Sequence, residues 1–252
     1  MGAFLDPLIL LFAAAVFLVS GTVKGVLGIG LPLIGVPMLS FVVPVPTAIA
    51  LLSVPLLFSN LWQVFQGDGL LDAIKRFWPL FVTLICGIFF GSRLLVDLDP
   101  KVINPALGGM LIFISLTNLL AWRPTITPRA EKFISPAIGL AGGLTGGLTS
   151  FFGPPIVLYM VSLRLEREYF ISAIGLAYLC GVIPLNLSLA FYEILTVDEA
   201  LLSAAAMIPV FAGLLLGKRI RQYLPQEVFR KALLIVLMII GLVLIRRAFV
   251  GG

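Results

Sequence analysis

The sequence GIFFGSRL at residues 87–94 returns as GLLLGKRI at residues 213–220. The two copies lie 126 positions apart, which is half the length of the 252-residue chain. Upstream, glycine and proline matches continue at offsets of 121 to 123, pairing Gly21 with Gly142, Gly25 with Gly146, Gly30 with Gly153 and Pro32 with Pro155. Because the matches keep their order and nearly constant spacing, the sequence predicts two structural repeats, residues 1–126 and 127–252, within one integrated domain.

The composition places these repeats in a lipid bilayer. The chain is 60% hydrophobic and 12% charged, whereas soluble domains are about 45–50% apolar and about 25% charged. The charges are concentrated in short connections, and most of the apolar runs between them approach or exceed the roughly 20 residues needed to cross the hydrocarbon layer. The runs lack the alternation of a β-barrel, so we expect α-helices, which satisfy their own backbone hydrogen bonds in lipid. The first run is predicted to be a retained span rather than a signal peptide.

Each half contains the same succession of five apolar runs. The prediction is therefore an all-α polytopic membrane protein with eight to ten helical segments, arranged as two inverted-topology repeats. The runs are 7–27, 31–43, 46–66, 77–96 and 103–122 in the first half, and 134–149, 154–163, 169–192, 199–217 and 229–247 in the second.

The second run of each half is too short to cross a bilayer at 1.5 Å per residue. Both short runs open with glycine and proline, as Gly30-Leu31-Pro32 in one half and Gly153-Pro154-Pro155 in the other. Proline favours the first turn of a helix, where its missing N–H costs nothing. Both short helices are therefore predicted to start inside the membrane, and the sequence leaves open whether they re-enter or complete a crossing.

Lysine and arginine indicate the orientation of the two halves. If the first two runs of each half enter the membrane and return to the same side, three further crossings follow in each half. This odd number of crossings inverts the second half relative to the first. One side of the membrane then collects twelve basic residues and the other side four, as the positive-inside rule requires. Both termini are predicted to lie outside the cell's inner (plasma) membrane.

The glycine and proline pattern resembles the sulfite exporter TauE/SafE family of transporters. The resemblance rests on Gly21-x3-Gly25-x2-Gly28-x-Gly30-x-Pro32, on its echo Gly142-Gly143-x2-Gly146-Gly147 with Gly153-Pro154-Pro155, and on the two Gly-x3-Gly-x-Arg helix ends. It covers essentially the whole chain and both repeats. It implies an exporter or permease for sulfite, sulfonates, sulfoacetate and related organic anions.

Short Gly/Pro-interrupted segments at matching positions of two inverted halves point to a transporter's binding site. A helix that starts inside the membrane leaves its first N–H groups unpaired, with about half a positive charge at that end. We therefore expect one small anion to be held at mid-membrane between the two helix starts, with polar groups of nearby helices completing the pocket. The predicted binding residues are Lys24, Gly28, Gly30, Pro32, Asn60, Thr149, Ser150, Gly153, Pro154, Pro155 and Asn186.

Each of these residue types also has a purely structural interpretation. Glycines allow helices to pack closely in membranes, and this interpretation is favoured for Gly87, Gly91, Gly213 and Gly217. Lys24, whose repeat counterpart at an offset of 121 is Thr145, could reach a membrane interface with its ammonium group. The buried amides could bond neighbouring helices.

Other functional classes lack the residues they need. The chain has no histidine, which excludes Ser-His hydrolysis and zinc-histidine sites, and no Asp-rich pair lies within the apolar runs. No enzyme activity, cofactor, metal or nucleic-acid partner is predicted. The expected partners are a small anionic solute and the lipid bilayer, and a passive anion channel remains as the alternative function.

Overall fold

In a computed structural model, the described residues are 7–27, 30–65, 68–120, 126–223 and 226–250. They form twelve α-helices, and no strand occurs within these ranges. The helices are α1 (Pro7–Leu27), α2 (Leu31–Leu39), α3 (Val45–Leu51), α4 (Ser53–Val64), α5 (Leu70–Asp97), α6 (Pro100–Leu119), α7 (Pro128–Thr149), α8 (Gly153–Ser162), α9 (Arg167–Phe191), α10 (Val197–Ala205), α11 (Met207–Ile220) and α12 (Gln226–Val250).

The prediction of an all-α polytopic membrane protein is confirmed. Every predicted apolar run contains a helix, and six helical stretches among the described residues are long and apolar enough to cross a membrane. The bent pair α3–α4 would make a seventh. The short helices α2 and α8 have 9 and 10 residues, so each is only about 14–15 Å long. Helix α2 ends four residues earlier than its predicted run. Residues 40–42 form a turn, and Pro44 disfavours helical backbone in Val43.

Two of the predicted runs are interrupted, which raises the number of helices from the predicted eight to ten to twelve. One break is at Leu52, where α3 and α4 meet at 46°, and the other is at Ala206. In both cases a proline is the third residue of the second helix, Pro55 in α4 and Pro209 in α11. Proline cannot donate to the carbonyl four residues earlier and its ring clashes with that carbonyl. Mean hydropathy does not reveal such a break.

The break between α3 and α4 is compensated by a side chain from α10. The N–H of Val54 donates to the hydroxyl oxygen of Ser203 at 3.0 Å, and Ser203 is completely buried. In a hydrocarbon environment an unpaired backbone N–H costs several kcal/mol. The serine hydroxyl therefore makes the interrupted helix tolerable at membrane depth.

The chain divides into two compact units, and neither corresponds to one half of the sequence. The first unit contains Met1–Pro55, Leu98–Ala121 and Thr196–Gly252, and the second contains Leu56–Asp97 and Trp122–Leu195. Each unit therefore combines segments from both halves. Each is described by itself below.

In the first unit, α1 and α11 approach each other backbone to backbone. A Cβ atom added to Gly25 would lie 2.5 Å from the carbonyl oxygen of Leu214 and 2.9 Å from the Cα of Gly217. A Cβ atom added to Gly213 would lie 2.8 Å from the backbone nitrogen of Thr22. Because backbone atoms cannot rotate away, these positions accept only glycine without a shift of one helix.

In the second unit, α5 and α7 form the corresponding contact. A Cβ atom added to Gly87 would lie 2.6 Å from the carbonyl oxygen of Leu140 and 2.9 Å from the Cα of Gly143. One turn further on, a Cβ atom on Gly91 would lie 3.0 Å from the Cα of Gly147. The structural interpretation of Gly87, Gly91, Gly213 and Gly217 as packing glycines therefore fits the contacts in both units.

The two contacts match residue for residue, which corrects the register read from the sequence. Gly213 faces Leu18 and Gly217 faces Thr22 in the first unit, whereas Gly87 faces Leu140 and Gly91 faces Leu144 in the second. Leu18 and Thr22 thus correspond to Leu140 and Leu144 at an offset of 122, instead of the 121 taken from the glycine matches. Gly21 and Gly25 therefore correspond to Gly143 and Gly147, the second member of each glycine pair. The two-repeat organisation and its inversion stay predictions.

Alanine at Gly87 or Gly213 is expected to lower the melting temperature of the detergent-purified protein, because the added methyl would press on the backbone of the facing helix. Overpacking of this kind costs about 1–3 kcal/mol. The matched control is Gly109→Ala in α6, where an added Cβ meets nothing within 4 Å and alanine favours the helix by about 1 kcal/mol. Equal melting temperatures for the three variants would contradict the backbone contact.

Single cysteines are expected to report the inversion of the halves. Both native cysteines are free thiols and are first replaced by serine. Asp68→Cys and Asp198→Cys lie at exposed positions, in connections that the basic residues predict on opposite faces. A membrane-impermeant maleimide should label Asp198→Cys in intact cells and Asp68→Cys only after permeabilisation. Labelling of both from one face would rule out the predicted inversion.

Candidate functional site

The first helix start belongs to the first unit and is built around Gly30. This glycine has φ 106° and ψ 10°, a left-handed conformation that precedes the first residue of α2. A Cβ atom would find ordinary contacts there, 3.5 Å from Val23 Cγ1 and 3.6 Å from Leu33 Cδ1. Gly30 is therefore required by backbone conformation rather than by space. Gly28 lies outside the described residues.

No side chain within the described residues caps the start of α2. The N–H groups of Leu31 and Leu33 have no acceptor within the helix, as at any helix start. Pro32, at the second position, has no N–H to leave unpaired. The start of α2 therefore presents the positive end of a helix dipole and two backbone donors from its first turn.

Lys24 lies in the last turn of α1 and is only 8% exposed. This burial argues against the interpretation that Lys24 reaches a membrane interface, because an ammonium group at the interface is exposed to water. A lysine in the last turn also interacts favourably with the carbonyl end of its own helix. The first unit thus contains a buried cation six residues before Gly30.

The second helix start belongs to the second unit and follows directly from the end of α7. The Thr149 hydroxyl donates to the carbonyl oxygen of Thr145 at 2.6 Å and accepts from the N–H of Phe151 at 3.3 Å. The N–H of Ser150 donates to the carbonyl oxygen of Gly146 at 2.6 Å. The only donor of the Thr149 side chain is therefore used by the backbone, so Thr149 shapes this turn.

Ser150 adopts a left-handed conformation with φ 65° at the C-cap of α7. Its side chain is 1% exposed, and its hydroxyl has no hydrogen-bond partner within the described ranges. A non-glycine residue in this conformation costs about 1–3 kcal/mol unless its surroundings compensate. Ser150 is thus a strained and buried polar residue three positions before α8.

Two prolines at the start of α8 remove backbone donors. Gly153 is the first helical residue, and Pro154 and Pro155 follow. The first turn of α8 consequently keeps a single N–H, that of Gly153, next to the N–H of Phe152 at the N-cap position. No side chain within the described ranges caps this start. The two helix starts therefore differ in their backbone donors, although the sequence motifs look alike.

Phe152 fixes the approach to α8. A Cβ atom on Gly146 of α7 would lie 2.5 Å from the Phe152 Cβ, and one on Gly181 of α9 would lie 3.1 Å from its ring. Two glycines thus make room for one buried phenylalanine, which is 3% exposed. The Phe152 ring meets the Tyr178 ring edge to face, with centroids 5.6 Å apart and planes at 71°.

The structure brings only some of the predicted site residues together. Thr149, Ser150 and Gly153–Pro155 form one turn, whereas Asn60 is fully buried on α4 and Asn186 is half-buried on α9. Asn186 lies eight residues beyond Tyr178, or about 12 Å along the same helix. The sequence offered Tyr178 only as one of several polar residues of the long helices that could complete the pocket. In the structure its hydroxyl is the nearest group to a side chain added at Gly153.

Substitutions at Gly30 are expected to act through backbone strain. Gly30→Ala should lower the melting temperature of the purified protein, because left-handed backbone costs about 1–2 kcal/mol for a residue with a Cβ atom. Gly30→Asn should lower it less, since asparagine tolerates this conformation. The measurement is thermal unfolding in detergent, and a loss that is equal for both variants would contradict the conformational explanation.

Comparison with known proteins identifies the family of the chain. The family model described as "Sulfite exporter TauE/SafE" matches residues 12–244. Two relatives are "Fluoride-specific ion channel FluC 3" of Brucella abortus biovar 1 (strain 9-941) and "Fluoride-specific ion channel FluC 4" of Brucella suis biovar 1 (strain 1330). Each is 31% identical over 129 residues, which cover 48% of this chain and 90% of the relative. No solved structure matches the chain. With six helical stretches suited to crossing a membrane and a family match over nearly its whole length, this chain is a multi-pass membrane protein that belongs to the sulfite exporter TauE/SafE family.

Proposed function

We propose that this protein is a secondary transporter of small anions in the cell's inner (plasma) membrane. Its substrate class is sulfur-containing anions such as sulfite, sulfonates and sulfoacetate-like compounds, and the family match supports this chemistry. We infer the binding mechanism from the two short helices, α2 and α8. Both begin at a Gly/Pro motif without a side-chain cap. We assign anion binding to these two starts.

Lipid allows irregular backbone only where it is buried in protein or lines a water-filled cavity. An uncapped helix start inside an apolar protein therefore needs a partner for its N–H groups. An anion is the partner that both the free donors and the positive end of the helix dipole favour. Glycine at each start lets a solute approach the backbone closely. That one solute is held by both starts stays a prediction from the sequence.

Lys24 adds a formal charge to the first unit, four residues before the Gly28–Pro32 motif. Ionisable groups at membrane depth are rare and are usually functional. We propose that its ammonium group attracts the anion toward α2, and that Gly30 and Pro32 shape the start itself. In the second unit Gly153, Pro154, Pro155 and Ser150 belong to the turn that binds the anion, while Asn60 and Asn186 provide polar groups on the neighbouring helices.

Outward transport of an anion needs no coupling ion. When the inside of the cell is negative, moving one negative charge outward gains about 2.3 kcal/mol per 100 mV. A uniporter driven by the membrane potential is therefore the simplest mechanism for these residues.

A passive anion channel is the second candidate, and the likeness to fluoride-specific ion channels favours it. The two functions differ in counterflow. Proteoliposomes loaded with unlabelled sulfite should take up labelled sulfite faster than empty ones if the protein is a carrier, and uptake should saturate. A channel gives uptake that follows the electrochemical gradient without stimulation from the opposite side.

The same assay tests Lys24. Lys24→Met is expected to reduce sulfite transport about ten-fold or more, since an interaction with a charged partner is worth about 1.5–3 kcal/mol. Lys24→Arg should keep part of the activity because it keeps the charge. Lys218→Met is the matched control, because Lys218 also lies in the last turn of its helix but is exposed. Wild-type transport by Lys24→Met would make Lys24 a structural residue only.

A further inference from the structure

A phenol hydroxyl lies at the first turn of α8 without a hydrogen bond of its own. Tyr178 is on α9, is 7% exposed, and has no hydrogen-bond partner within the part of the chain that the structure describes. A Cβ atom on Gly153 would lie 2.8 Å from the Tyr178 hydroxyl oxygen. Because a C–C bond is about 1.5 Å long, this oxygen lies within about 4.3 Å of the Gly153 Cα.

Packing of the Tyr178 ring, and not a hydrogen bond, fixes the position of this hydroxyl. The ring of Tyr178 meets that of Phe152 edge to face. Phe152 is in turn confined between Gly146 of α7 and Gly181 of α9, which leave only the space its ring needs. Glycine at position 153 then lets the hydroxyl approach the helix start.

The Tyr178 side chain is buried, and its hydroxyl has no hydrogen-bond partner within the described residues. Most polar atoms of buried side chains in proteins are paired, so this hydroxyl is available to a ligand. The start of α8 is short of donors because Pro154 and Pro155 have no N–H. The unpaired hydroxyl and the depleted helix start occur at the same place, beside Gly153.

We infer that the Tyr178 hydroxyl donates a hydrogen bond to the transported anion at the start of α8, supplementing the donors that Pro154 and Pro155 lack. This inference rests on the proposed function and adds a substrate-binding residue to it. Two donors, the Gly153 N–H and the Tyr178 O–H, then face one anion from neighbouring helices of the second unit. Such a pair suits an oxyanion, which offers a separate acceptor oxygen to each donor.

The test compares sulfite binding by the full-length protein purified in detergent, measured by isothermal titration calorimetry, with melting temperatures recorded in parallel. Tyr178→Phe keeps the ring that packs on Phe152 and removes only the hydroxyl. Its affinity for sulfite should fall about ten-fold or more, at an unchanged melting temperature. Tyr159→Phe is the matched control, because Tyr159 is also a buried tyrosine of the second unit that packs edge to face, against Phe77 at 6.3 Å. It should bind sulfite as the wild type does.

A double-variant cycle provides a second test that does not depend on the stability of Tyr178→Phe alone. The methyl group of Gly153→Ala would displace the Tyr178 hydroxyl, so this variant should also lose affinity. If the two residues act through the same hydroxyl, the double variant should bind little more weakly than Tyr178→Phe. Fully additive losses would overturn the inference.

The outcomes separate this inference from the proposed function. If the wild type binds sulfite and Tyr178→Phe binds it equally well, Tyr178 is a packing residue and the inference fails while the transporter proposal stands. If the wild type neither binds nor transports sulfite, ethanesulfonate or sulfoacetate, the proposed function fails and the inference falls with it.

Discussion

The structure depends on a close approach of helix backbones at glycine. In a membrane, apolar side chains gain nothing by exchanging lipid for another helix, so association relies on van der Waals packing between helices that can come close together. Gly25 meets Gly217 in one unit and Gly87 meets Gly143 in the other. Each contact joins a helix of the first half of the sequence to a helix of the second half. The compact units therefore cross the boundary of the predicted repeats, and neither half can complete its packing alone.

Once the long helices are fixed in this way, the remaining backbone must find hydrogen-bond partners away from water. Where α3 breaks from α4, the Ser203 hydroxyl accepts from Val54. Where α7 ends, the Thr149 hydroxyl accepts from Phe151. At both of these irregular points, a side-chain hydroxyl accepts the hydrogen bond of a backbone N–H that lies outside the regular helix pattern. The starts of α2 and α8 have no such side-chain partner within the described residues, and our proposal therefore places the solute there.

The sequence predicted every apolar run and both short helices, because hydropathy and Gly/Pro motifs act over a few neighbouring residues. It paired Gly21 with Gly142 instead of Gly143 as its repeat counterpart, since adjacent glycines are equivalent until a facing helix selects one. It also treated Gly30 and Gly153 as the same feature. The first is needed for its left-handed backbone, and the second for the space beside Tyr178. Both distinctions depend on tertiary contacts that no local pattern contains.

The corrected register also changes the meaning of Lys24. At an offset of 122 its counterpart is Gly146 rather than Thr145. One half of the chain thus carries a buried cation at the position where the other half leaves room for Phe152, the residue that holds Tyr178 in place. Each unit contains one short helix with an uncapped start, and the side chains around the two starts differ. A family motif composed of glycine and proline can therefore specify the scaffold without specifying the anion, which we propose is selected by side chains such as Lys24 and Tyr178 that are not among the glycines and prolines of the motif.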